Sequence, residues 1–162
     1  MRAASFLASV LVALCAASSA WAPPEASSGR FVQAVEFPYY LYPRAQWERE
    51  LVWLKTLGVH TVEFSIPWNW HQIEGGEFDF NGRTSPRRDL SAFIRMLRKL
   101  DLQAWVRPLP PVAGWVNNGF PGGLKDVATA GPWLKQIGAL LGPQTAKHGG
   151  PIAFVEGHDL AI

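Results

Sequence analysis

A single cysteine, Cys15, is all that 162 residues provide, and it lies close to the N-terminus. No intrachain disulfide can form, so stability outside a reducing compartment must come from packing. Excess charge is missing too. Fifteen Lys and Arg against thirteen Asp and Glu leave +2, which excludes an electrostatic case for nucleic acid or an anionic membrane and points to a neutral partner. The apolar run from Phe6 to Ala16 is too short to span a bilayer as an ordinary helix. No G-x-G-x-x-G, P-loop or G-x-S-x-G occurs, which removes support for nucleotide binding and for Ser-His-Asp hydrolysis. His60, His71, His148 and His158 show neither H-E-x-x-H nor paired spacing, so neither metal nor cofactor is expected.

Arg2 precedes that apolar run, and Ala20-Trp21-Ala22 follows it as an A-x-A cleavage site. Residues 1–22 therefore read as a signal peptide, which implies export to the periplasm or beyond with no stable membrane anchor. Leu14 before Cys15 is too large for a lipoprotein site. Residues 23–30, rich in Pro, Ser and Gly, read as a flexible leader, and residues 31–162 as one domain. Eight tryptophans stand out against the scarcities. Indole rings either fill cores and interfaces or stack on the C–H faces of sugars.

Phe31 to Phe37 has the content of a buried strand and leads into the aromatic turn "PYYLYP". Pro43 opens a helix with Trp47, Leu51, Leu54 and Leu57 on its apolar face, and Gly58 supplies a left-handed cap. Thr61 to Ile66 is a second strand. The connection from Pro67 to about Arg88 is long enough to be functional or disordered, and its aromatics argue against disorder. Leu90, Phe93, Ile94, Leu97 and Leu100 mark a second helix with Asp89 as N-cap. "LQAWVRP" is a third strand, followed by a Pro/Gly-rich loop from Leu109 to Gly131. Trp133 or Leu134, Ile137, Leu140 and Leu141 give a third helix stopped by Gly142-Pro143, and Ile152 to Glu156 is a fourth strand.

Strands and helices alternate as β-α-β-α-β-α-β, which predicts an α/β fold with a parallel sheet. The second and third strands are followed by the long loops, where a TIM (β/α)8 barrel carries its active site. Such a barrel needs eight units in roughly 250 residues. The expectation is therefore the N-terminal half of a barrel, about four β/α units. Its open edge would be covered by a partner chain or by self-association.

"TVEFSIPWNWHQIEGGEFDFNG" resembles glycoside hydrolase family 35, the β-galactosidase family, in which a strand ending in P-W-N is followed by H-E and G-x-F-D-F. Gln72 replaces that glutamate. "YPRAQWERELVWLKTLGVHTVE", "AWVRPLPP" and "HGGPIAFVE" resemble the family's first helix, third strand and fourth-strand entry, so the likeness covers roughly residues 31 to 156. It implies retaining hydrolysis of β-galactosides or related glycosides by two carboxyl groups about 5 to 5.5 Å apart. The nucleophile of the family lies on a seventh strand. Its Asn-Glu pair falls on Asp159-Leu160 when counted without gaps, leaving Glu156 or Asp159 as acid candidates if the register slips.

The family's tyrosine before P-W-N is Ser65 here, and the glutamate of its A-E-W triplet is Gly114. Galactose specificity is weakened by both departures. The substrate-binding candidates are Trp68, Asn69, His71, Arg107 and Trp115. Each has a second reading: Trp68 as an indole packed beneath a turn, Asn69 as an amide capping backbone, His71 as a loop histidine, Arg107 as the partner of a carboxylate such as Glu63. A carbohydrate is the expected ligand, and a non-catalytic carbohydrate-binding or structural relative is the competing function.

Overall fold

The computed structural model describes residues 34–122 and 130–157. The signal peptide, the leader, the first residues assigned to strand one and the acid candidate Asp159 lie outside the described residues. Within them the chain runs through β1 (Ala34–Glu36), α1 (Trp47–Thr56), β2 (Thr61–Ser65), α2 (Trp68–His71), α3 (Leu90–Lys99), β3 (Gln103–Arg107), α4 (Gly131–Leu141) and β4 (Ile152–Val155). Short 3-10 turns at Tyr39–Leu41 and Arg44–Gln46 lead into α1.

The four strands form one parallel sheet in the order β1-β2-β3-β4. Right-handed crossovers between sequential parallel strands put the connecting helices on one face. Side chains alternate along each strand, so Val62 and Phe64 of β2 and Ala104 and Val106 of β3 share that face and are fully buried. Against them pack Leu51 and Leu54 of α1, Phe93, Ile94 and Leu97 of α3, and Trp133 and Ile137 of α4. Phe93 is the hub, with the rings of Phe37, Tyr39, Trp47 and Phe64 at centroid distances of 4.9 to 5.6 Å.

Helix ends follow the local chemistry. The Asp89 carboxylate accepts a hydrogen bond from the Ala92 amide at 2.9 Å, a capping contact that satisfies one of the free N–H groups at the start of α3. Trp133, rather than Leu134, faces the core of α4, and its indole N–H donates to the Pro108 carbonyl at 2.7 Å. Leu57 departs from expectation. The helix ends at Thr56, Leu57 is its C-cap, and turning out of the helical path leaves the side chain 60% exposed. Gly58, at φ +84°, takes the expected left-handed cap.

The opposite face of the sheet carries different residues. Trp105 of β3 and Phe154 of β4 pair there at 5.7 Å, with Phe154 43% exposed. A register shift between Ala104 and Trp105 adjusts β4 so that Phe154 comes level with Trp105. The preceding turn depends on glycine for space: a β-carbon on Gly150 would land on the Gln144 backbone.

Candidate functional site

Three strands deliver acidic side chains to one arginine. Arg107 closes β3 beside Ser65 of β2. Its Nη2 lies 2.6 Å from a Glu63 oxygen and 3.8 Å from a Glu36 oxygen, while Nε lies 3.9 Å from Glu156. The sequence offered Arg107 as a ligand contact or as the partner of Glu63, and the structure makes that pair. Glu36 and Glu156 side chains remain 57% exposed. The Arg107 Nε is buried without a hydrogen-bond partner. One guanidinium thus organises carboxyl groups from β1, β2 and the end of β4, with Glu63 the most firmly held.

Tyr40 belongs to this neighbourhood and escaped the sequence reading. It is buried, and its hydroxyl is pushed up to about 12, first by burial and then by the Glu36 carboxylate, with Arg107 working in the opposite direction. It therefore keeps its proton throughout the physiological range. The available signal was positional: "PYYLYP" directly follows the strand that ends in Glu36.

Asn69 joins the loop after β2 to the loop after β3. Its amide oxygen accepts from the Trp115 indole N–H at 2.8 Å, and its amide nitrogen donates to the Val116 carbonyl at 2.8 Å. Trp115 in turn stands edge-on to Tyr40 and to Trp70, with ring centroids at 4.7 and 5.7 Å. Asn69 and Trp115, both partly buried, are brought together, and the amide is already committed to protein groups.

Two candidates turn inward, and their assignment as direct ligand contacts is corrected. Trp68 is 3% exposed and stacks on Trp133 at 6.0 Å, which places it in the core beneath the loop; its indole nitrogen is buried without a partner. His71 is fully buried. Its Nδ1 lies 2.6 Å from the Asp79 carbonyl and its Nε2 2.6 Å from the Tyr39 hydroxyl. A carbonyl only accepts, so Nδ1 carries the proton and Nε2 accepts from Tyr39. Burial lowers the imidazole pKa to about 4; the Asp79 hydrogen bond opposes that shift and Arg88 adds to it. With both nitrogens occupied, the ring has nothing left to offer a ligand.

Asp79 locks the same segment. Its carboxylate accepts from the backbone N–H groups of Asn81, Arg83 and Thr84 and from the Thr84 hydroxyl, at 2.6 to 3.1 Å. Burial alone would raise this carboxyl, but these four donors hold it down at about 2. The "FDF" motif is therefore a loop anchor. Ser65 is buried and Gly114 sits at φ +72°. Among the described residues no group of three or more His, Cys, Asp or Glu is arranged to hold a metal ion.

The arrangement is thus a cluster of Glu36, Arg107 and Glu156 at strand ends with Glu63 from the middle of β2, flanked by Tyr40 and Trp115. Comparison with known proteins gives it a context. The chain is 45% identical over 84 residues to an exo-beta-D-glucosaminidase of Pyrococcus horikoshii, which covers 51% of this chain and 11% of that protein. It is 33% identical over 120 residues to a beta-1,2-glucosyltransferase of Ignavibacterium album, covering 73% of this chain and 17% of that protein. Against a beta-galactosidase of Mus musculus it is 28% identical over 132 residues, covering 73% of this chain and 20% of that protein. It therefore spans no more than about a fifth of the length of these relatives. The family model for glycosyl hydrolases family 35 matches residues 27–156, nearly the whole described region. By that match, the chain belongs to glycoside hydrolase family 35.

Proposed function

We propose that this chain forms the N-terminal half of a (β/α)8 glycoside hydrolase barrel acting on β-galactosides or related β-glycosides, and that it does not turn substrate over alone. The observation that carries the reading is the convergence of Glu36, Glu63 and Glu156 on Arg107, the last residue of β3, at the end of the sheet where this class of barrel performs its chemistry. Retaining hydrolysis needs a carboxylic acid to protonate the leaving oxygen and a carboxylate to attack the anomeric carbon. Glu63 is engaged by Arg107 at 2.6 Å, whereas Glu156 is only loosely held and largely exposed, and so is the better placed acid among the described residues. Asp159 is the alternative acid. Trp115, partly buried and with its N–H committed to Asn69, would meet a sugar through the face of its ring, and Arg107 keeps the carboxyl groups in place.

The relatives' names differ in sugar and in reaction, so the reading extends to β-glycosides as a class. Among the described residues β1 pairs only with β2, and β4 has beyond β3 only the Thr145–Ile152 bridge, so these edges and the Trp105–Phe154 face are the surfaces that further barrel strands, or a second copy, would cover. The reading includes export, supported by the signal-peptide pattern of residues 1–22, and no described helix is long and apolar enough to cross a membrane. Ser65 and Gly114, standing where the resemblance leads one to expect tyrosine and glutamate, favour a second reading: a carbohydrate-binding relative without catalysis.

Purified 162-residue protein is expected to show no turnover of chromogenic β-galactosides or β-glucosaminides above background. Turnover abolished by Glu156→Gln would overturn the proposed inactivity. Titration with galactose, glucose and glucosamine is expected to change tryptophan fluorescence through Trp115, and no change with any of them counts against a retained sugar site.

A further inference from the structure

The buried imidazole at the centre of the β2 loop has no part in the proposed chemistry, yet it joins three segments. Tyr39 comes from the turn after β1, His71 ends α2, and Asp79 lies in the hairpin-like segment that bridges Gln72 to Phe78. The Tyr39 hydroxyl, the His71 ring and the Asp79 carbonyl form one hydrogen-bonded line, with the polarity O–H to Nε2 and Nδ1–H to O=C. We infer that this line is an acid-operated latch: protonation of His71 releases the segment between α2 and α3 from the turn after β1.

The chemistry of the line supplies the mechanism. A proton arriving on Nε2 turns an acceptor into a donor. Tyr39 can then accept only by rotating its own hydrogen away, and Tyr39 is fully buried with Trp47, Phe64 and Phe93 around its ring. Its hydroxyl is also held far from ionisation by burial and by Tyr40, so it cannot meet the imidazolium as an anion. The groups facing His71 offer little compensation. Arg88, from the turn before α3, is a like charge. The Asp79 carboxylate favours the imidazolium, but it is already occupied by four donors. α4 contributes the Trp133 ring at 6.4 Å, and the loop itself contributes Phe80 at 4.9 Å. Local opening lets water solvate the ring and removes the conflict, while the sheet, whose core lies on β2, β3 and α3, does not depend on His71 for its hydrogen bonds.

Hydrogen exchange on the full chain tests this, with rates corrected for intrinsic pH dependence. The ring titrates at about 4 when closed against an ordinary 6.5 when open, so the opening constant of residues 72–84 is expected to rise about twenty-fold between pH 7 and pH 5. Over that range β2 and β3 are expected to stay protected, and His71→Gln, which cannot titrate, is expected to abolish the pH dependence. A flat response in the wild type, loss of protection in the strands together with the loop, or an unchanged pH response in His71→Gln would each overturn the latch. Should that variant fail to fold, the ring-proton shifts of His71 in the wild type decide: titration near 4 is required, and titration between 6 and 7 refutes it.

Discussion

The two faces of the sheet differ in what finishes them. On the helix side, Val62, Phe64, Ala104 and Val106 are sealed by side chains from α1, α3 and α4, and Phe93 meets four other aromatic rings. On the other side, the rows from the same strands end in Glu36, Glu63, Arg107, Trp105 and Phe154, which touch mainly one another. The contrast teaches that the apolar core and the charged, half-open cluster are assigned to opposite faces of the same sheet. Alternation along a strand makes this possible, because changing a residue on one face leaves its neighbours on the other undisturbed.

Substitutions on the two sides test that division. Phe93→Ala is expected to have the largest effect, a loss of about 3 to 5 kcal/mol of unfolding free energy, because the cavity opens beneath several fixed rings. Urea denaturation followed by circular dichroism measures it, and a loss comparable to a surface change would dissolve the distinction. Asp79→Ala is expected to follow at about 2 to 3 kcal/mol, since three backbone N–H groups lose their acceptor together. At the open face, Phe154→Ala is expected to stay within about 1 kcal/mol, as a partly exposed side chain contributes little to folding. The double variant Arg107→Met with Glu63→Gln is expected to do the same, because it removes the pair without leaving its partly buried carboxylate unpaired. If either destabilises as much as Phe93→Ala, that face is a second core rather than a functional surface.

A pH series sharpens the comparison. The Asp79 carboxyl is lowered from 3.8 to about 2 on folding. Its stabilisation is therefore complete above pH 3.8 and is lost as pH falls through 2. The stability difference between wild type and Asp79→Asn, measured by urea titration at pH 5 and pH 2.5, is expected to shrink at the lower value. His71 acts in a higher window. Its folded pKa lies below its unfolded one, so its contribution is complete above pH 6.5 and declines towards pH 4.

Much of the fold was legible because its signals are local. Asp89 stands one residue before a run with helical apolar spacing, and it caps α3 as that pattern requires. β2 and β3 announced themselves by β-branched and aromatic content and were displaced by no more than a residue at their ends. Leu57 misled because helical spacing alone does not show where a helix stops. The site was less legible. "PWNWH" reads as a cluster of polar and aromatic ligands, but Trp68 and His71 point into the core, while Tyr40 and Glu36, which reach the cluster, carried no motif of their own.

The sequence by itself determined the alternation of strands and helices, the family, the caps and the absence of a disulfide, since these rest on residue type and spacing along one dimension. Only the tertiary structure decided which side chains meet. Arg107 lies 71 residues from Glu36 and 49 from Glu156 along the chain, and parallel pairing, with the register shift before Trp105 that advances β4 by one residue, brings the three together. Likewise His71 is an ordinary titratable side chain until Tyr39 and Asp79 close around it, because burial and hydrogen-bond polarity are properties of neighbours that the chain brings in from elsewhere.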